Sequence, residues 1–171
     1  MDLYQLAKNR YSCRSFSGRE VEEEVLERLL EIQRLAPTAH NKQSQRVYVL
    51  RGEKAQEIIG KATRCLFGAK LFLVMCYDRD DCWVRKYDGA LGGPMDAVIA
   101  GSYLELAIAA SGLGTCWVGA FDPAKLREAM QLPDNHIPVA IFPVGYPAGD
   151  AEPSLSHSDR EPLNHTVIRC D

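Results

Sequence analysis

The sequence predicts a three-layer domain of the α/β or α+β class, built from about four strands and about five helices. Apolar runs of strand length alternate with longer amphipathic stretches along the chain. Helices or long connections separate neighbouring strands, so β-hairpins are not the organising unit. At 171 residues the chain has the length of about one domain, and we interpret residues 1–171 as a single one. Periodicity alone leaves the choice between α/β and α+β open.

Composition places the chain among ordinary globular proteins. Hydrophobic residues make up 46% and charged residues 25% of the sequence, which argues against collagen, a coiled coil, long disorder or a disulfide scaffold. Lys and Arg total 20 against 23 acidic residues, for a net charge of −3. Because there is no basic excess, we expect no nucleic-acid partner, and any anion site has to be local.

Targeting and metal-binding signals are weak. The first residues lack the charged and apolar regions of a signal peptide. The longest apolar stretch, residues 97–110, is shorter than the ~20 residues that span a bilayer. We therefore expect a cytoplasmic protein without a membrane partner. The six cysteines contain no Cys-x-x-Cys pair and the four histidines show no ligand spacing, so no metal site is predicted.

The first quarter of the chain predicts two helices and a loop. Residues 2–9 carry an apolar stripe at helical spacing, and residues 22–35 place apolar side chains three or four positions apart. Three glutamates open this second helix, where carboxylates suit the positive end of the helix dipole. Pro37 follows, and residues 36–43 are polar and predict an exposed loop.

The middle of the chain alternates strand and helix. Residues 46–50 are β-branched and aromatic and predict the first strand. A helix is expected over residues 54–63. Residues 71–77 are continuously apolar, which is typical of a central strand covered on both faces. Residues 78–93 form a polar connection that contains glycine.

The last part of the chain begins with its most apolar helix, residues 94–111, which we expect to be buried and central. Residues 115–119 predict a strand. A helix over residues 122–130 has Asp at its N-cap and Pro at its first position. Residues 138–145 predict the fourth strand. The tail, about residues 146–171, looks extended and able to clasp another surface.

Arg10, Ser12 and Arg14 form the first candidate site. In an extended segment alternate side chains face the same side, so two guanidinium groups and a hydroxyl would converge. This trio suits a phosphate, which arginine binds through two parallel hydrogen bonds. The alternative is a solvated basic stretch in which Ser12 is a local cap.

The loop and the glycine-rich turn provide further candidates. Thr38, Asn41 and Gln43 offer donors and acceptors for a heteroaromatic ring, although a simple polar loop is also compatible with them. The sequence has no phosphate loop, no Rossmann Gly-x-Gly-x-x-Gly and no Gly-x-Ser-x-Gly elbow. A nucleophilic pair of Cys116 and His40 stays open at this level.

Together, four segments resemble the nitroreductase family of FMN-dependent oxidoreductases over nearly the whole chain. Residues 10–16, Arg-x-Ser-x-Arg-x-Phe, are similar to the phosphate-binding opening of the family. Residues 36–43 are similar to its Ala-Pro-Ser-x-x-Asn-x-Gln loop, and residues 96–117 to its central helix and following strand. Arg160-x-Pro-Leu resembles its closing phosphate contact.

The resemblance implies an α+β three-layer sandwich, with a central, mainly antiparallel sheet of about four strands flanked by helices. It also implies an intertwined homodimer with FMN at the subunit interface. Arg10, Ser12 and Arg160 would face the phosphate, and Arg14 the ribityl or pyrimidine region. The partner subunit would supply a loop to the flavin site, with the positions Pro37, Thr38, Ala39, Asn41 and Gln43. A backbone segment with Gly119 and Ala120 would lie beside the reactive nitrogen of the flavin.

The implied activity is ping-pong hydride transfer from NAD(P)H through FMN to an acceptor such as a nitroaromatic or a quinone. The cofactor performs this chemistry, so no catalytic side chain is expected. The alternatives are a specialised flavoenzyme of the same fold (a dehalogenase, a flavin-consuming enzyme or an azoline-type dehydrogenase) and a non-catalytic FMN-binding or redox-sensing protein. Arg64, Cys65 and Lys70 are all candidates for a further contact to the flavin pyrimidine.

Overall fold

The computed structural model describes residues 2–170. Its strands are β1 (Gln45–Arg51), β2 (Leu71–Asp78), β3 (Gly114–Thr115) and β4 (His136–Gly145). Its helices are α1 (Leu3–Asn9), α2 (Glu23–Arg34), α3 (Gly52–Gly60), α4 (Gly93–Ala110), α5 (Pro123–Met130) and α6 (Leu163–Thr166). Short 3-10 turns occupy Ala39–Asn41 and Leu155–Ser158. Within this part of the chain, none of the helices is both long and apolar enough to cross a membrane.

The four strands form one sheet in the order β1-β2-β4-β3. All three neighbouring pairs are antiparallel, which decides the class that periodicity left open. The prediction of an α+β fold around a mainly antiparallel four-stranded sheet is confirmed. The continuously apolar residues 71–77 are the core of β2, which is buried along its whole length between β1 and β4.

Two hydrophobic cores cover the two faces of the sheet, because side chains alternate along a strand. Leu71, Leu73 and Met75 of β2 pack in one core with buried residues of α2 and α4. Phe72 and Val74 pack in the other core with buried residues of α3 and α5. The helices therefore lie on both sides of the sheet.

Three boundaries differ from the sequence-based expectation. The helix α3 covers Gly52–Gly60 rather than residues 54–63. The predicted strand over residues 115–119 is wrong beyond its first residue, since β3 contains only Gly114 and Thr115, although Val118 still forms an isolated antiparallel bridge with Ile141. In the register of the β3–β4 pair the next residue would face Pro143, which has no N–H to give to a neighbouring strand. The tail is not wholly extended, since it contains a 3-10 turn and α6.

Candidate active site

An extended N-terminal arm, residues 10–17, runs beside β3. The N–H of Cys13 donates to the carbonyl of Thr115 at 2.8 Å, and Ser12 forms a parallel bridge with the same residue. A Cβ on Gly114 would lie 2.7 Å from Cys13, so glycine allows the arm to approach the strand this closely. Because the arm is extended here, alternate side chains turn to the same side.

The tail returns along this arm. The N–H of Ala148 donates to the carbonyl of Ser15 at 3.1 Å, and the hydroxyl of Tyr11 donates to the carbonyl of Ala151 at 3.4 Å. The 3-10 turn Leu155–Ser158 follows. Residues separated by about 140 positions are thus brought side by side.

Between the arm and the tail lies a cavity of about 210 Å³, called the arginine cavity below. Arg10, Ser12 and Arg160, which the resemblance assigns to the phosphate, line it. Arg14, which the resemblance assigns to the ribityl or pyrimidine region, lines the same cavity. Four further residues that sequence reasoning missed complete the lining: Tyr11, Ser154, Ser156 and His157. The cavity therefore presents three guanidinium groups and three serine hydroxyls, and none of its lining residues in the described part of the chain carries a carboxylate.

The charges of the arginines are only partly compensated. Nη1 of Arg10 lies 3.1 Å from Oε1 of Glu105. Arg14 and Arg160 donate instead to the backbone carbonyls of Ser12 and Asp159, at 3.4 and 2.7 Å, and neither forms an ion pair with a carboxylate of residues 2–170. The excess positive charge favours an anion with several acceptor oxygens.

The loop of residues 36–43, which is predicted to contact a heteroaromatic ring, does not lie at the arginine cavity. Pro37, Thr38, Ala39, Asn41 and Gln43 take no part in lining the arginine cavity of their own chain. The loop is internally ordered, since the N–H of Gln43 donates to Oγ1 of Thr38 at 3.0 Å. His40, Asn41 and Gln43 have φ between 50° and 54°. Left-handed conformations of residues other than glycine cost energy and cluster at ligand-binding segments.

Two contacts fix the base of this loop. The buried Asp96, in the first turn of α4, accepts the N–H of Ala39 through Oδ1 at 2.9 Å. The ring of His40 stacks on Trp83, with ring centroids 5.6 Å apart. The loop is therefore held by its backbone and by one aromatic contact, and its other polar side chains stay exposed or half-buried.

Gly119 and Ala120 are the two exposed residues of a segment, residues 118–122, that follows β3. Neither of their N–H groups has an acceptor among residues 2–170. A Cβ on Gly119 would meet no atom within 4 Å, so the chain itself imposes no steric need for glycine there. An open glycine with unpaired donors is typical of a backbone that a ligand approaches closely.

A second, wide cavity of about 480 Å³ adjoins this segment. Ala120 lines it together with Arg64 and Cys65. Lys70 lies at a different place, in a cavity shared with Arg19 and Arg51. Of the three candidates for a further ring contact, the structure therefore brings two to the neighbourhood of Ala120.

The comparison with known families decides the relationship. The model of the Nitroreductase family matches residues 7–70 and 62–146, which together include the arm, the loop and the 118–122 segment. The chain belongs to the Nitroreductase family. A nitroreductase family protein of Clostridium difficile 630 has a structure similar to that of this chain, with 36% identity, 98% of both chains covered and a TM-score of 0.92.

Two other members are also similar to this nitroreductase family chain. A Desulfovibrio desulfuricans protein crystallised in complex with FMN is 25% identical, with 100% of this chain and 98% of that chain covered and a TM-score of 0.85. The FMN reductase [NAD(P)H] of Bacillus subtilis is 28% identical over 173 residues, which is 90% of this chain and 69% of that protein.

Cysteine chemistry is disfavoured in this nitroreductase family member. Burial raises the pKa of the Cys116 thiol, although the nearby Arg14 works in the opposite direction. The thiol is therefore protonated at neutral pH and a poor nucleophile. No hydrogen bond joins Cys116 to His40 in the described chain. Nor does that part contain a cluster of His, Cys, Asp or Glu that could hold a metal ion.

Proposed function

We propose that this nitroreductase family member is an FMN-dependent NAD(P)H oxidoreductase that passes hydride from NAD(P)H, through FMN, to an acceptor such as a nitroaromatic or a quinone. The observation that carries the proposal is the arginine cavity, which joins Arg10, Ser12 and Arg14 of the arm to Arg160 of the tail. The FMN bound to the Desulfovibrio relative and the name of the Bacillus relative support it.

The residues present fit FMN at both of its ends. A phosphate dianion needs several charge-assisted donors, and the arginine cavity offers the guanidinium groups of Arg10 and Arg160 and the hydroxyl of Ser12, with no carboxylate among its described lining residues. A flavin ring needs an open, flat approach to backbone donors. The unpaired N–H groups of Gly119 and Ala120 meet this need, since no atom of residues 2–170 beyond its chain neighbours would lie within 4 Å of a Cβ on Gly119.

When bound, FMN would supply the hydride-transfer chemistry, with ping-pong kinetics. The side chains of this protein would bind and orient the cofactor. Arg10, Ser12 and Arg160 hold the phosphate. Arg14 places a positive charge that favours an anionic reduced ring. A backbone N–H beside the reactive nitrogen stabilises the charge that develops there.

A homodimer is part of the proposal, with Pro37, Thr38, Ala39, Asn41 and Gln43 serving the flavin of the other subunit. An exposed apolar stripe on α4 supports it: Met95, Val98, Ile99 and Tyr103 are 37–51% exposed. Such a stripe on a central helix is usually covered by a partner. Leu155, Leu163 and Ile168 of the tail are also exposed, which suits a tail that packs on a second copy. A cytoplasmic location also belongs to the proposal.

Anaerobic mixing with NADH or NADPH tests this function. The purified protein, loaded with FMN, should lose the flavin absorbance band rapidly, and a nitroaromatic or quinone should restore it. Bound FMN that neither nucleotide reduces would favour a binding or sensing protein. A protein that binds no added FMN would overturn both readings.

A further inference from the structure

Backbone hydrogen bonds hold the 118–122 segment at both ends, whereas no backbone N–H of Gly119 or Ala120, in its free middle, has an acceptor among residues 2–170. Its first residue exchanges both backbone hydrogen bonds with Ile141, each at 3.0 Å. The N–H of its last residue donates to the carbonyl of Ala62 at 2.9 Å. Between these anchors, Oγ1 of Thr63 donates to the carbonyl of Ala120 at 2.7 Å. Thr63 is therefore the only side chain of residues 2–170 that hydrogen-bonds the backbone within the free middle.

The hydroxyl of Thr63 both donates and accepts a hydrogen bond in this arrangement. It has one proton to donate, which goes to Ala120, and it accepts the N–H of Cys65 at 3.2 Å. The residue is only 8% exposed. A buried hydroxyl with both roles satisfied joins the turn after α3 to the segment, and its loss would remove the side-chain partner of the Ala120 carbonyl and of the Cys65 N–H.

Because peptide units are planar, the hydrogen bond to the carbonyl of Ala120 also constrains the direction of the N–H of Ala120. In a trans peptide the C=O and the N–H point in opposite directions. The anchored carbonyl of Ala120 shares its plane with the N–H of Phe121, which donates to the carbonyl of Gly119 at 3.2 Å. That carbonyl shares its plane with the N–H of Ala120. The N–H of Ala120 therefore points away from this turn.

We infer that Thr63 is a positioning residue for hydride transfer: its hydroxyl fixes the direction in which the N–H of Ala120 meets the reactive nitrogen of the flavin. The inference rests on the proposed function. The inference goes beyond the proposed function because it gives a role to a residue that does not need to touch the cofactor. Thr63 acts through the backbone of Ala120, and it holds the carbonyl that a longer β3 would have offered to β4.

The test replaces Thr63 by Val, which keeps the shape and removes the hydroxyl, by Ala, and by Ser, which keeps the hydroxyl. The first readout is the 15N resonance of the reactive nitrogen in labelled FMN, because accepting a hydrogen bond moves the resonance of such a nitrogen upfield. We expect the resonance to move downfield in Thr63→Val and Thr63→Ala and to stay at the wild-type position in Thr63→Ser.

The second readout is the rate constant of flavin reduction at saturating NADH or NADPH. We expect a fall of about tenfold in Thr63→Val, which is less than the 10²–10³-fold cost of removing such a donor completely. The dissociation constant of FMN should change less than about twofold, since the arginine cavity is untouched and Thr63→Val adds no atom to the 118–122 segment. Ser111→Ala is the control, because it removes a hydroxyl that donates to the carbonyl of Ala107 at 2.9 Å.

The outcomes separate the inference from the function. An unchanged resonance and reduction rate in a folded Thr63→Val or Thr63→Ala protein would overturn the role of Thr63 and leave the oxidoreductase standing. A Thr63→Ser protein as impaired as Thr63→Val would assign the effect to packing and overturn the role as well. Wild-type protein that binds no FMN would overturn both.

Discussion

Arg10 offers the sharpest test of the arginine cavity, because FMN and riboflavin differ only in the phosphate. The side chain of Arg10 is 25% exposed and lies 3.1 Å from Glu105. A hydrogen bond to a charged group is worth about 1.5–3 kcal/mol, so Arg10→Ala should weaken FMN binding by about 10- to 150-fold. Riboflavin binding should change less than about twofold. Fluorescence titration of the apoprotein with each flavin measures both constants.

The carboxylate of Glu105 pushes this loss toward the upper end of the range. In Arg10→Ala it would lose its partner while only 17% exposed, and an unpaired negative charge beside the cavity repels a phosphate. Adding Glu105→Gln should therefore recover part of the FMN affinity. Arg34→Ala, which removes an exposed arginine paired with Glu31 at 2.6 Å, should leave both flavins unaffected.

Two results would refute this reasoning. An equal loss of FMN and riboflavin would mean that Arg10 supports the ring or the fold and does not contact the phosphate. Unchanged binding of both flavins, in a variant with wild-type stability, would mean that the phosphate binds elsewhere and that the arginine cavity serves another anion.

Other predictions concern the segment, the loop and the fold. Gly119→Ala should change the free energy of unfolding by less than about 0.5 kcal/mol but weaken FMN binding about tenfold, whereas Gly149→Ala, equally open, should change neither in fluorescence and urea titrations. Asp96→Ala should lower the free energy of unfolding in urea by about 1–2 kcal/mol, because a loop N–H loses its acceptor, and Asp96→Asn should lose less. The hydrogen bond from Tyr146, followed by that from Arg19, lowers the pKa of Glu22 from 4.5 to about 2. Its stabilisation is therefore present above pH 4.5 and lost as the pH falls toward 2, so the Tm difference between wild type and Glu22→Gln should shrink over that range.

Much of the arginine cavity could be predicted from the sequence, for a local reason. The arm is extended and paired with β3, so the alternation of Arg10, Ser12 and Arg14 becomes a shared side of the chain. Ser154 and Ser156 could not be found in this way. They belong to a polar tail without periodicity, and their position depends on hydrogen bonds between residues about 140 positions apart.

The sheet, too, has one feature that the sequence predicts and others that it does not. The apolar run over residues 71–77 predicts a central strand because burial on both faces leaves a direct mark on the sequence. The pairing partners and their order leave no such mark. The register and the strand order had to come from the structure, whereas the α+β class and the mainly antiparallel sheet are implied by the family resemblance and not by periodicity.

The strand that sequence reasoning extended too far is where the candidate site begins. If the β3–β4 register continued, Ala120 would face Val139 and both of its backbone groups would be spent on the sheet. Pairing in this register is still present at Val118 and Ile141, which exchange both backbone hydrogen bonds, and it stops where β4 shifts its register against β2 between Ala140 and Pro138, as expected of a β-bulge. Beyond that point Thr63 donates to the carbonyl of Ala120, and the N–H of Ala120 has no acceptor among residues 2–170. The same β-branched, aromatic run that predicts a strand therefore ends early at the segment that we propose as the flavin contact, which is the kind of place where local rules are expected to fail.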